Sequence, residues 1–232
     1  MRKFLKQSLD RYLTDRTFES KRENALMYND GQGYIHYQKG SLIFYALSDY
    51  LGEKKLNNTL SNYVKKVAFQ NPPYTTSIDL VNHIKTATPD SLNYLIEDMF
   101  ETITLYENKI VSAESKELDD GKYQIDFEFM VSKYRNDEKG KTFYGDRERD
   151  SIFYKSEDMR RPKYSVYLED YIDIGVFNDD DEELYMKKHK ITSINNKLSI
   201  ILDEKPYEVG VDPYNKLIDV NSDDNRKKIN LN

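Results

Sequence analysis

The side chains able to do chemistry are few once the common types are set aside. The chain has three histidines, His36, His83 and His189, and no cysteine. No two histidines stand in the His-Glu-x-x-His spacing that puts two imidazoles on one helix face for zinc. Without cysteine there is no thiolate ligand, thiol nucleophile or disulfide. Scattered imidazoles alone are not expected to build a metal site. No Gly-rich phosphate loop and no Gly-x-Ser-x-Gly elbow is present. Carboxylates are so abundant, 41 Asp and Glu, that a pair of them means nothing without geometry. The run His36-Tyr37-Gln38-Lys39-Gly40 is more distinctive. It leads directly into Ser41-Leu42-Ile43-Phe44-Tyr45-Ala46-Leu47, so a tyrosine sits at the mouth of an apolar helix. On residue type alone it is a buried or interfacial side chain.

The elements that must position these residues follow from periodicity. Leu5, Leu9, Tyr12 and Leu13 predict a helix over 1–14. Thr14 to Asp30 has no clear period, and Asn29-Asp30-Gly31 with Gly33 marks a turn. Tyr34 to Tyr37 is expected to be a short extended or irregular piece. The helix over 39–51 is apolar around most of its circumference, and Gly52 suits a left-handed C-terminal cap. A second helix opens at Glu53, carries Leu56, Leu60, Val64 and Val67 on one face, and stops at Asn71-Pro72-Pro73. Thr76-Ser77-Ile78-Asp79 is a capping box with Asp in place of Glu, starting a helix through Leu80, Val81 and Ile84. Thr88-Pro89 predicts another start, followed at helical spacing by Leu92, Leu95, Ile96, Met99 and Phe100. His83 on its helix and His189 on its strand are expected to be packing or surface residues.

The pattern changes near Tyr106. Tyr123, Ile125, Phe127, Phe129 and Val131 alternate with polar residues, predicting a half-buried strand. Asp120-Gly121 predicts a hairpin to a partner over 110–117. Further strands are expected at 152–155, 164–168, 171–177, 184–191 and 197–202, with a turn at Asn195-Asn196. Asn178 to Glu183 is expected to be a solvated acidic loop, since its spacing is not that of an EF-hand. The tail from Ser222 is polar and expected to fray. The fold class is therefore α+β: an all-helical half over 1–105, then an antiparallel β-sandwich over 106–232.

The totals narrow the function classes. A net charge of −6 and a pI near 5.3, with both signs mixed, argue against nucleic acid as a partner. Mean hydropathy is −0.83. No stretch reaches the roughly 18 apolar residues of a transmembrane span, and no signal-peptide core follows Met1. The chain as given is expected to be soluble. Twenty tyrosines and no tryptophan fit half-buried sheet faces.

Tyr34-Ile35-His36-Tyr37-Gln38-Lys39-Gly40, with a helix ending Asp49-Tyr50-Leu51-Gly52-Glu53, resembles the aminopeptidase N family of zinc metallopeptidases, peptidase family M-one. There a Tyr-x-Lys-Gly step follows the zinc helices, and its tyrosine hydroxyl stabilises the tetrahedral oxyanion. Asp10-Arg11-Tyr12-Leu13 upstream agrees, as do Ala68-Phe69-Gln70 and Thr75-Thr76-Ser77-Ile78-Asp79-Leu80 downstream. Tyr171-Ile172-Asp173-Ile174-Gly175-Val176-Phe177 and Asp212-Pro213-Tyr214-Asn215-Lys216-Leu217-Ile218-Asp219 resemble the bacterial subgroup in which such a domain is fused to an ABC-transporter permease. The likeness runs over nearly the whole chain.

The resemblance implies Tyr37 as the catalytic oxyanion donor, with Tyr34 lining the same pocket. It also implies two zinc histidines, a glutamate base and a further glutamate ligand before Tyr37, and this chain has none of them. The expectation is a C-terminal portion of a longer protein. Zinc, the peptide substrate and the rest of the peptidase domain belong to that parent, which is anchored at a membrane with this part outside the bilayer. No metal is expected in this chain, and it should be inactive alone. A truncated domain should expose apolar surface around Leu42 to Leu51 and self-associate through it. The alternative is a non-catalytic interaction or spacer module of a membrane transporter.

Overall fold

The computed structural model describes residues 2–144 and 166–231. The chain is α+β, with five α-helices and then two largely antiparallel sheets among the described residues. No described helix is long and apolar enough to cross a membrane.

Helix α1 (Arg2–Thr17) buries Leu5, Leu9 and Tyr12, the stripe its spacing predicts. Helix α2 (Gly40–Leu51) and helix α3 (Glu53–Val67) share Gly52, whose φ of 87° lets one residue end the first and open the second. Helix α4 (Ser77–Ala87) starts on the predicted capping box, with the Thr76 amide donating to Asp79 Oδ2 at 2.7 Å. Two departures from α geometry were not expected. Tyr34–Lys39 is a π-helical turn that runs on into α2, where an extended piece is expected. Gly33 and Gly40 both hold right-handed helical angles, so neither interrupts the coil. The helix predicted from Thr88 is instead a 3₁₀ turn (Asp90–Leu92), a short α5 (Asn93–Ile96) and a π turn (Glu97–Glu101). Thr88 does not cap it; its hydroxyl donates back to Ile84 O and closes α4.

The face of α2 expected to be bare is covered from within the chain. Leu42 packs with Leu5, Leu9, Tyr12, Leu105 and Ile218. Ile43, Ala46 and Leu47 pack with Leu56, Val81, Ile84, Leu95, Ile96 and Phe100. The apolar surface expected to be exposed around Leu42 to Leu51 is thus covered: Leu42, Ile43, Ala46 and Leu47 are buried, and Phe44, Tyr45, Tyr50 and Leu51 are partly so.

The sheets use strands β1 (Ile103–Glu117), β2 (Tyr123–Asn136), β3 (Thr142–Tyr144), β4 (Asp170–Phe177), β5 (Glu183–Ile191), β6 (Asn195–Leu202), β7 (Glu208–Val211), β8 (Arg226–Lys228) and β9 (Asn230–Leu231). One sheet runs β3-β2-β1-β9, with β6 also paired to β2; the other runs β5-β4-β7-β8. The hairpin at Asp120-Gly121 forms as predicted, with Gly121 at φ 80°. Strand β1 begins seven residues before its predicted start, because its first four residues are buried on both sides and show no alternation. Asn195-Asn196 opens β6 rather than forming the turn; Asn196 Nδ2 donates to Ser193 O and caps a turn placed just before it. The tail is anchored, not frayed: Ser222, Asn225 and Arg226 are buried. The strand expected at 152–155 lies outside the described residues, as do the first two residues of the one expected at 164–168; Val166 to Leu168 is not strand. Apolar side chains from both sheets, including Ile110, Phe127, Phe129, Ile172, Ile174, Val209 and Val211, form one core.

Candidate functional site

Tyr37 stands on the π-helical turn ahead of α2 and is 70 % exposed. Two residues to either side, Ile35 and Lys39 are fully buried. The turn is thus held from beneath while the phenol faces outward. The His36 ring lies beside it at 4.4 Å between centroids, and His36 Nδ1 is 3.0 Å from Asn29 Nδ2.

Beneath the turn is a cluster of charges that sequence reasoning did not single out. The Tyr12 hydroxyl donates to Glu23, and Arg16 donates to the same carboxylate through Nε at 3.0 Å and Nη2 at 2.7 Å. Burial, reinforced by Glu23, drives the Tyr12 phenol well above its ordinary pKa. The Lys39 ammonium lies 5.5 Å from the centroid of the Tyr12 ring and has no hydrogen-bond partner among the described residues. Burial lowers its pKa to about 8, against the pull of Glu23. Tyr34 does not join Tyr37. Its ring stacks on Tyr12 at 6.0 Å, and its hydroxyl donates to Glu19 Oε2 at 3.2 Å.

Two further ionic nodes bind the helical half to the sheets. In the first, Lys133 contacts Asp98 at 2.5 Å and Asp170 at 3.0 Å, Arg135 reaches Asp98 at 2.7 Å, and the Tyr106 hydroxyl donates to Asp170 at 2.8 Å. Burial alone would lower the Lys133 pKa, but its two carboxylates outweigh it and raise the value. In the second, Lys216 contacts Asp173 at 2.6 Å and Asp49 at 2.8 Å, while Lys188 reaches the same two carboxylates. The Tyr50 hydroxyl donates to Tyr171 O at 2.6 Å alongside. Asp49, Asp173 and Lys216 come from three of the separate stretches that carry the family resemblance. The fold brings them to one point.

The histidines are not brought together. His83 Nε2 lies 3.1 Å from Thr59 O, and His189 Nε2 lies 2.7 Å from the Tyr185 hydroxyl. Among the described residues no group of three or more His, Cys, Asp or Glu side chains could hold a metal. The acidic loop is a turn built on Asn178, whose Oδ1 accepts the amides of Asp180 and Glu182, and Asp181 pairs with Arg226 at 2.5 Å. An open groove of about 680 Å³ separates α3 from α4. Tyr63, Lys66, Tyr74 and His83 are among its lining residues, and Tyr37 is not.

Sequence reasoning could have found part of this. The alternation of β2 continues past Val131 to Lys133 and Arg135, which occupy inward positions. Charge at inward parity is the signal of a buried ion pair. Glu23 and Lys39 carry no comparable signal. No protein-family model matches the chain, and no curated protein matches it either.

Proposed function

We propose that the chain is the tyrosine-bearing part of a zinc aminopeptidase-like protein, with a β-sandwich behind it, whose parent removes N-terminal residues from peptides. The observation that carries this is the presentation of Tyr37. Its turn is anchored by two fully buried residues, yet its phenol is open to solvent. A donor that must meet a developing oxyanion needs that combination, fixed backbone and free hydroxyl. In the family resembled, zinc polarises the scissile carbonyl and activates water. The described residues do not offer a ligand set for it. On this reading the zinc is held by other parts of the parent, and the chain alone is inactive. The sandwich is supported by the single core to which both sheets contribute.

The test uses the longer protein, with hydrolysis of an aminoacyl anilide as readout. Tyr37→Phe should lower kcat by about 10²–10³, the usual effect of losing one oxyanion donor, while metal content stays unchanged. Unaltered turnover would remove Tyr37 from the mechanism. Turnover or stoichiometric tight zinc binding by the 232 residues alone would instead refute the reading of the chain as an inactive portion of a longer enzyme.

A second reading is favoured by the two ionic nodes. They fasten the helices rigidly to the sheets, as suits a non-catalytic interaction or spacer module of a membrane transporter. An intact His-Glu-x-x-His in the parent supports the enzyme, and a degenerate one supports the module.

A further inference from the structure

The connection between α3 and α4 is exposed along its length, and its composition departs from that of the rest of the chain. Between Glu53 and Asp79 there are four lysines, Lys54, Lys55, Lys65 and Lys66, and no carboxylate, in a protein of net charge −6. At the turn itself Phe69 is fully exposed and holds φ at 58°. That is the left-handed region, where a bulky side chain is strained and glycine or asparagine is preferred. Phe69 is therefore unfavourable for stability twice over, by exposure and by backbone conformation. Such outliers point to function when packing does not explain them. Tyr74, five residues on, is 72 % exposed, and Val64 in the last turn of α3 is exposed as well. The next carboxylate along the chain, Asp79, accepts from Thr76 in the capping box and also feels the Lys66 charge across the groove, so Lys65 is the cation free of it.

We propose that this tip docks on an anionic lipid bilayer. Phe69 and Tyr74 enter the boundary between headgroups and acyl chains, where aromatic rings partition well. Lys65 and Lys66 face the acidic headgroups, whose negative potential attracts clustered lysines. The net negative charge of the whole protein does not oppose this, because screening confines the interaction to charges within about 8 Å of the surface. Exposure of Phe69 favours a membrane over an acidic protein. Tyr74 and Lys66 stand on the lining of the α3–α4 groove, but Phe69 is fully exposed and outside it, whereas aromatic anchors between proteins are seated in packed pockets.

Flotation of the intact chain with vesicles tests this. Phosphatidylcholine vesicles are compared with vesicles containing about a third phosphatidylserine, at low and near-physiological salt. Binding to the phosphatidylserine vesicles, weakened by salt, is the expected result. K65E/K66E should weaken it about tenfold or more. Phe69→Asn, which suits the left-handed backbone and so preserves the fold, should weaken it at both salt concentrations. Circular dichroism checks that both variants remain folded. No flotation with phosphatidylserine vesicles at low salt overturns the proposal, as does binding that survives both variants. Equally strong capture by poly-glutamate, indifferent to Phe69→Asn, also overturns it and points to an acidic protein.

Discussion

Replacing Lys39 by methionine should stabilise the protein near neutral pH, and the gain should vanish in alkali. The lysine is fully buried and its ammonium has no hydrogen-bond partner among the described residues. Its pKa falls from 10.5 to about 8 on folding, principally through burial. A base depressed in this way binds its proton less readily in the folded state than in the unfolded one. Below the folded value both states are charged, and the folded state bears the full cost of burying the charge. Between about 8 and 10.5 the folded amine is neutral while the unfolded one still holds its proton, so stability rises with pH. Above that window the cost is gone. The interval corresponds to about 3 kcal/mol. Methionine fills a similar volume without charge, but it forgoes the cation–π attraction to Tyr12, worth about 1 kcal/mol. The net gain for Lys39→Met is then about 2 kcal/mol near neutrality, shrinking toward nothing above about pH 10.5, where the neutral amine has lost both its burial cost as a charge and its cation–π attraction. Urea unfolding of both proteins, followed by circular dichroism across that pH range, measures the difference. The tyrosines with raised pKa destabilise the fold in alkali, but equally in both proteins, so the difference isolates Lys39. A less stable variant near neutrality, or a difference that does not change with pH, would refute the reasoning.

Lys133→Met leaves Asp98 and Asp170 buried without their shared cation, and should cost about 3–5 kcal/mol by denaturant unfolding. Gly210→Ala sets a new Cβ 2.8 Å from Pro213 and 2.9 Å from the Arg226 side chain; the overpacking should cost about 1–3 kcal/mol by the same measurement. Tyr37→Phe touches only an exposed hydroxyl, so stability should hold within about 0.5 kcal/mol by the same measurement.

The helical half and the β2 hairpin were legible because their apolar residues recur at one period and face one core. Legibility failed where a segment is buried from two sides. The start of β1 packs against the helices and against the opposing sheet at once, so its alternation is erased. It failed again where polar residues replace apolar ones inside. Ser222 to Arg226 reads as a frayed tail, yet Asn225 and Arg226 are buried and Arg226 lies 3.9 Å from the centroid of the Phe177 ring. The π turn at Tyr34–Lys39 was missed because Asn29-Asp30-Gly31 and Gly33 read as a turn, although Gly33 itself is helical. The expected bare face of α2 was missed for a different reason. Its width correctly implied burial, but the partners supplying that burial, α1 on one side and α3 to α5 on the other, lie within the same chain.

The stretches that carry the family resemblance divide on inspection of their side chains. Asp49, Tyr50, Asp173 and Lys216 meet at one ionic node, and Asp212 holds the turn beside it by accepting the amides of Lys216 and Leu217. Their meeting at one point is what an interface between helices and sheets requires. Lys39 and Tyr12 are likewise absorbed into the cluster beneath the turn. Two aromatic side chains in those stretches lie largely in solvent, Tyr37, which touches only the neighbouring His36 ring among the aromatic contacts, and Phe69. Exposure of a large aromatic ring is unremarkable singly, but each of these sits on backbone that is fixed at some cost. One is on a turn anchored by a buried, unpaired cation, the other at a left-handed φ. A sequence under selection for stability alone would relax both positions at little expense, with a buried methionine under the first and an asparagine at the second. That neither is relaxed is the physical ground for seeking function at these two residues before any other.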